Sequence, residues 1–189
     1  MKQKSRFDFC MCNPPFFSEL EEKIENKKSV CTATFSELVT EGGEFEFISQ
    51  MIRESFELKE KIKIHLQLKG FEIVDFGPNS AERTDYPDYA HPVAKFITDD
   101  LSGNTFGVLI CGSGNGINMT ANKHQQIRSA LCWMSEIAEL ARQHNNANII
   151  TLPARYITFE EAKKCIDIFF STDFEGGRHT ERVNKISCC

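Results

Sequence analysis

The stretch "LICGSGNGINMTANK", from Leu109 to Lys123, decides the fold, because an apolar run, a glycine-rich loop and a helix-like pattern follow one another in it. A strand that passes through a tight loop into a helix is the first half of a βαβ unit. In open α/β folds such loops lie at the carboxyl edge of a parallel sheet, where ligands bind. The stretch therefore predicts a ligand site, for which a nucleotide, a sugar phosphate or no ligand are all open.

Outside this stretch, apolar runs alternate with helical periodicity along most of the chain, which is typical of a parallel sheet. The predicted strands are Arg6 to Cys12, Phe71 to Gly77, Phe106 to Cys111, Arg128 to Trp133 and Ala147 to Leu152. The predicted helices are a long one from about Glu44 to Lys69, ending at Gly70, and shorter ones at Tyr89 to Leu101, Ser135 to His144 and Thr158 to Phe170. Thr158 and Glu161 have the spacing of a capping box. We expect an α/β fold: a three-layer, doubly wound, Rossmann-like sandwich with a mainly parallel sheet of about five strands.

Composition limits the classes of function. The 189 residues suffice for one α/β domain, and no apolar run approaches the ~20 residues that a membrane-spanning helix needs. The net charge is −5 and no basic stripe is present, so neither a membrane nor a long nucleic acid is expected as a partner. The eight cysteines are irregularly spaced without a CxxC pair, and no apolar signal segment precedes them. We therefore expect reduced thiols in the cytoplasm and no metal site.

The glycine loop suits an anion. Its glycines let backbone amides approach a ligand, and the following helix adds its positive end, which favours a phosphate or an enolate. A dinucleotide is less favoured, because the pattern is GxGxG rather than GxGxxG and no acidic residue ends a second strand at the expected distance. The same helix end should lower the pKa of Cys111 and make a thiolate available as a base or nucleophile. The alternative is a buried structural cysteine.

Four stretches of the chain resemble a known family. They are "GFEIVDFGPNSAERTDYPDYAHPVAKFI", "GVLICGSGNGINMTANK", "ARQHNNANIITLPAR" and "FEGGRHTERV", and their order and spacing are similar to those of ribose-5-phosphate isomerase B and related phosphopentose and phosphohexose isomerases. The resemblance spans Phe56 to about Ile186. It implies a homodimer with active sites at the subunit boundary. It also implies aldose–ketose isomerisation of a phosphorylated sugar, with ribose 5-phosphate as the first choice, through an enediolate and without a metal or other cofactor.

The resemblance also implies roles for single residues. Cys111 matches the base that moves a proton between C2 and C1, and His144 matches the residue that opens the furanose ring. Ser113 matches part of the cradle around the enediolate, as do the amides of the loop glycines. The remaining matches bind the sugar or its phosphate: Tyr86, Gly112, Gly114, Gly116, Asn145, Arg155, Arg178 and Arg182. Of these, Arg155 is the weaker candidate, whereas Arg178 and Arg182 lie four residues apart and so share a helical face.

The first part of the chain departs from that family. An Asp-His pair is expected near the start, but Ile52 and Arg53 fall at its place, inside a helical pattern. Instead, "FDFCMCNPPFF" and "EGGEFEFISQMIRESFEL" resemble the RNA adenosine methyltransferases that carry an NPPF motif, over Phe7 to Leu58. That resemblance implies an adenine clamp formed by the motif's residues Asn13, Pro14, Pro15 and Phe16.

The clamp is expected to be vestigial, because the half that binds S-adenosylmethionine is absent from this chain. The alternative function is therefore a noncatalytic RNA- or adenine-binding fragment, and "NPP" could also be a plain strand terminator. We expect residues 1–55 to add a strand and a helix to the isomerase-like part, 56–189, within one domain, and the segment Ser18 to Gly43 to be a mobile loop. An engineered chimera, a natural fusion and a gene-model artefact all remain open.

Overall fold

A computed structural model describes residues 6–12, 43–82 and 84–187, with the backbone alone for residues 6–12 and 43–51. The NPPF motif at Asn13 to Phe16 and all of the segment Ser18 to Gly43 except its last residue lie outside the described residues. Gly43 itself begins the first helix, one residue before the predicted start.

Five parallel strands form one sheet in the order β2, β1, β3, β5, β4. The strands are β1 (Arg6–Cys12), β2 (Glu72–Asp75), β3 (Phe106–Cys111), β4 (Ser129–Leu131) and β5 (Ile149–Pro153). The chain reverses its winding direction between β1 and β3, and this switch point is where α/β sheets bind ligands. Cys12 at the end of β1 is in register with Cys111 at the end of β3, so both lie beside the switch point.

Six helices connect or follow these strands in the described part of the chain. They are α1 (Gly43–Leu68), α2 (Pro87–Asp99), α3 (Asn115–Ala121), α4 (Ser135–Asn145), α5 (Phe159–Ser171) and α6 (Arg178–Asn184). None of these helices is both long and apolar enough to cross a membrane.

The helices form two layers because the central strands are apolar on both faces. Along β3, Val108 and Ile110 pack with α1, α4 and α5, whereas Leu109 and Cys111 pack with α2 and α3 on the opposite face. Such continuous apolar strands are typical of sheets that are covered on both sides. The α/β, doubly wound, three-layer prediction is confirmed.

Several ends differ from the sequence prediction. The strand predicted over Phe71 to Gly77 ends at Asp75, because the Asp75 side chain accepts a hydrogen bond from the Gly77 N–H (2.9 Å) and turns the chain. Helix α2 begins at Pro87 rather than Tyr89, in keeping with the fit of proline to the first helical turn. Gly70 has the predicted left-handed backbone, with φ +82°.

The capping box is only half formed. The Thr158 hydroxyl accepts the Glu161 N–H (3.2 Å), as predicted for an N-cap. The Glu161 carboxylate instead accepts the Ser135 N–H (2.8 Å), and this bond lowers the pKa of Glu161. Glu161 therefore ties the start of α4 to the start of α5.

Candidate active site

The glycine loop turns sharply from β3 into α3. Gly114 is buried with φ +75°, a conformation that side chains with a Cβ rarely adopt. A Cβ on Gly114 would also overlap the Leu131 side chain, whereas the neighbouring Ser113 is exposed. The loop therefore needs glycine at its buried position and presents Ser113 outward.

Backbone hydrogen bonds attach the end of β5 to this loop. The Ala154 N–H donates to the Cys111 carbonyl (2.9 Å), and the Arg155 N–H donates to the Gly112 carbonyl (3.1 Å). This bond places Arg155 next to the loop, where its side chain is half-buried. Cys111 is 4% exposed and packs in the apolar core on the face of the sheet that α2 and α3 cover.

Tyr86 lies directly against the start of α3. A Cβ built on Gly116 would lie 2.7 Å from Tyr86 Cζ and 3.1 Å from its hydroxyl oxygen. Only a glycine allows the ring this close. The structure thus brings together Tyr86 and Gly116, two of the predicted binding residues.

A charged cluster fixes the chain segment that leads to Tyr86. Lys59 is fully buried, and its Nζ lies 2.9 Å from Asp75 Oδ1 and 2.9 Å from the Pro78 carbonyl oxygen. Lys63 Nζ lies 2.7 Å from Asp75 Oδ2. Burial alone would raise the pKa of Asp75, but hydrogen bonds from Lys63, Lys59 and the Gly77 N–H outweigh it and lower the pKa. Helix α1 is thereby tied to the loop after β2.

His144 lies elsewhere, in a cluster with two residues that the sequence analysis did not identify. Its ring stacks on the ring of His179, with centroids 4.3 Å apart and an interplanar angle of 5°. Glu175 Oε2 lies 3.8 Å from His144 Nε2 and 3.7 Å from His179 Nε2. The "GGRHTER" motif contained His179, but only the fold places it beside a residue 35 positions earlier.

The remaining predicted binding residues surround this second cluster. Asn145 follows His144 as the last residue of α4 and is exposed. Arg178 and Arg182 are both on α6 and exposed. Arg178 Nε also donates to His179 Nε2 (3.3 Å).

The glycine loop and the His144 cluster lie at opposite edges of the sheet. Helix α4 runs back from the carboxyl end of β4 to the start of β5, so His144 is at the amino edge. Pro153 at the other end of β5 is in register with Cys111. At the ~3.3 Å rise per residue of a parallel strand, the four steps from Ile149 to Pro153 separate the edges by about 13 Å. One chain therefore does not bring Cys111 and His144 together.

Other thiols are placed differently. Cys132 and Cys165 are fully buried in the core that α4 and α5 help to form. Burial raises the pKa of both thiols to about 12, which keeps them protonated and unreactive at neutral pH.

The expected Asp-His pair has no counterpart at Ile52 and Arg53. Both residues lie within α1, where Ile52 is buried and Arg53 faces solvent. Neither residue supplies a carboxylate or an imidazole.

A family model described as "Ribose/Galactose Isomerase" matches residues 53–186, which include both the glycine loop and the His144 cluster. The chain belongs to this family. A second model, described as "RNA methyltransferase", matches residues 1–70. The two matches overlap within α1, which agrees with the two resemblances predicted from the sequence.

Curated relatives and solved structures agree with the family. A probable ribose-5-phosphate isomerase B of Mycoplasma genitalium is 45% identical over 130 residues, covering 68% of this chain and 85% of its own. The Escherichia coli ribose-5-phosphate isomerase B is 42% identical over 133 residues, covering 70% and 87%.

Two solved structures of the family resemble this chain. The ribose 5-phosphate isomerase of Thermotoga maritima has a TM-score of 0.72 at 35% identity and covers 98% of this chain and 99% of its own. The M. genitalium isomerase with bound ribulose 5-phosphate has a TM-score of 0.72 at 32% identity and covers 97% and 95%.

Proposed function

We propose that the protein interconverts ribose 5-phosphate and ribulose 5-phosphate. The observation that carries this proposal is the buried Cys111 at the head of the glycine loop, on the switch point of a chain that belongs to the isomerase family. Isomerisation requires a base for a C–H acid and a preorganised site for the oxyanion. Cys111 is the base, which takes the proton from C2 and returns it to C1.

The glycine loop stabilises the intermediate. Its amides from Gly112 to Gly116 and the Ser113 hydroxyl face the enediolate oxygens, while Tyr86 contacts the sugar. Preorganised donors of this kind stabilise the developing charge more strongly than water does, because they need no reorganisation. Arg155 lies at the margin of the same surface.

The other half of each site comes from a second copy of the chain. His144 opens the ring, Asn145 lies beside it, and Arg178 with Arg182 binds the phosphate. In one chain these residues lie at the amino edge of the sheet, whereas Cys111 lies at the carboxyl edge. A homodimer in which the carboxyl edge of one sheet lies beside the amino edge of the other would complete each active site. Residues 1–55 contribute β1, which lies between β2 and β3, to the same domain.

Loss of the Asp-His pair lowers the activity, because Ile52 and Arg53, which fall at its place on α1, supply neither a carboxylate nor an imidazole. Pentose phosphates are the first choice of substrate and hexose phosphates the second. The cytoplasm is the compartment in which such a sugar phosphate and reduced thiols would occur together.

A coupled assay that converts ribose 5-phosphate into ribulose 5-phosphate tests the proposal. We expect Cys111→Ser to lower kcat by about 10²- to 10⁴-fold, the usual contribution of a general base. Cys165→Ala, which changes a buried thiol outside the site, is the control and should retain activity. Absence of activity in the wild-type chain, together with saturable binding of a short structured RNA, would favour the adenine-binding alternative instead.

A further inference from the structure

The second cluster has the donor set of a transition-metal site. His144 and His179 supply imidazole nitrogens, Glu175 supplies a carboxylate oxygen, and all three donor atoms lie within 4.8 Å of one another. Two imidazoles and one carboxylate bind Zn²⁺ with a fourth position left open. Softer thiolates are not involved, so the cysteine spacing gave no indication of this site.

The distances between the three donor atoms are slightly longer than those around a bound zinc ion. Tetrahedral zinc with bonds of 2.0–2.1 Å holds its donor atoms about 3.4 Å apart. The carboxylate oxygen of Glu175 is already 3.8 Å from the nitrogen of His144 and 3.7 Å from that of His179. The two rings are parallel in the stack, so both must also turn about their side-chain bonds before their in-plane lone pairs point at one ion.

The backbone holds the three donors in place. The Glu175 N–H donates to the carbonyl of Gln143 (3.1 Å), which is the residue before His144. The His179 N–H donates to the Gly176 carbonyl (3.0 Å), so α6 begins directly after the carboxylate. His179 is 5% exposed, whereas the side chains of His144 and Glu175 are 34% and 50% exposed and leave a path for an ion.

The Nε2 atom of His179 is a hydrogen-bond acceptor. It accepts the hydrogen bond from Arg178 Nε (3.3 Å) with the lone pair that a metal would use.

We propose that His144, Glu175 and His179 form a binding site for a divalent transition-metal ion, with Zn²⁺ the best fit, and that this ion inhibits the isomerase. The inhibitory part rests on the proposed function. An ion on His179 displaces Arg178, and an ion on His144 removes the ring-opening residue. Metal and sugar phosphate therefore compete for one site.

Metal binding is measured first, without substrate. The full chain, freed of metal by a chelator, competes with a chromophoric zinc chelator for Zn²⁺, and Co²⁺ in a parallel sample reports the ligand type. We expect Glu175→Gln and His144→Asn each to weaken binding at least tenfold. Glu181→Gln removes the same charge from the exposed face of α6 and should leave the affinity unchanged. Circular dichroism confirms that each variant is folded.

Two results would overturn the metal site. One is zinc affinity in both folded variants equal to that of the wild type. The other is a cobalt spectrum for the tight ion with the intense near-ultraviolet band of thiolate coordination, which would assign the ion to cysteines. Neither result depends on catalysis, so a chain that binds zinc but does not isomerise ribose 5-phosphate refutes the proposed function alone. In an active enzyme, Zn²⁺ should inhibit competitively with ribose 5-phosphate, and at least tenfold less strongly in Glu175→Gln.

Discussion

At the scale of single residues, Gly116 determines where the Tyr86 ring lies. An alanine methyl at this position would lie within 2.9 Å of two ring carbons, closer than real contacts allow, so the ring must move. We expect Gly116→Ala to raise KM for ribose 5-phosphate several-fold and to destabilise the fold by about 1–3 kcal/mol, as overpacking does.

A double-mutant cycle with Tyr86→Ala tests this contact. If Tyr86 is the obstacle, Gly116→Ala should cost much less stability in the Tyr86→Ala background than in the wild type. Gly103→Ala is the control: a Cβ there meets nothing within 4 Å, so its cost comes only from the positive φ of +66° and should be the same in both backgrounds. Equal costs of Gly116→Ala in both backgrounds would contradict the assignment.

The sequence motifs indicate candidate residues but not which of them lie together. Cys111, Tyr86 and His144 are each candidates from a local motif. The motifs could not predict that His144 and His179 stack, because the two residues are joined only through the packing of α4 against α6. They also could not predict that Cys111 and His144 occupy opposite edges of one sheet.

At the scale of elements, Asp75 links α1 to the loop after β2, and its charge makes this link dependent on pH. Asp75→Asn leaves Lys59 buried without its carboxylate, and we expect a loss of about 3 kcal/mol of unfolding free energy at pH 7. Because the pKa of Asp75 is lower in the folded than in the unfolded protein, its contribution is complete above the unfolded value and is lost as pH falls through the folded one.

Urea denaturation between neutral pH and pH 3 measures this contribution. The difference between wild type and Asp75→Asn should therefore shrink below about pH 4. Asp99→Asn removes a carboxylate from an exposed pair with Lys95 and should change stability by less than about 0.5 kcal/mol at any pH. A constant difference across the range would show that the cost of Asp75→Asn is not electrostatic.

The elements themselves were predictable where local signals decide them. All five strands and the long helix were predicted, because alternation between apolar strands and helical periodicity is a property of neighbouring residues. The ends of helices and strands were less predictable where they depend on a contact with a residue distant in the sequence. Glu161 has the spacing of a capping box, but the Ser135 N–H on another helix competes for its carboxylate.

At the scale of the whole molecule, the proposed site needs two chains. Cys111→Ser and His144→Asn should each be inactive alone, because each homodimer carries the same defect in both sites. After unfolding and refolding as an equal mixture, half of the dimers are mixed, and each mixed dimer has one intact site. We therefore expect activity to return to about 25% of the wild-type value.

The ribose 5-phosphate assay on the refolded mixture provides the measurement. Each variant refolded alone is the control for refolding yield. Activity that stays at the level of the separate variants would mean that Cys111 and His144 act within one chain, and the shared-site arrangement would be wrong.

The position of β1 has a consequence for any shortened form of the protein. This strand lies between β2 and β3 and pairs with both, although it belongs to the part matched by the methyltransferase model. A truncation that starts at α1 would remove β1 and leave β2 and β3 each with an unpaired hydrogen-bonding edge. Open edges pair with other chains, so the shortened protein would recruit strands from its neighbours and form aggregates rather than a smaller isomerase.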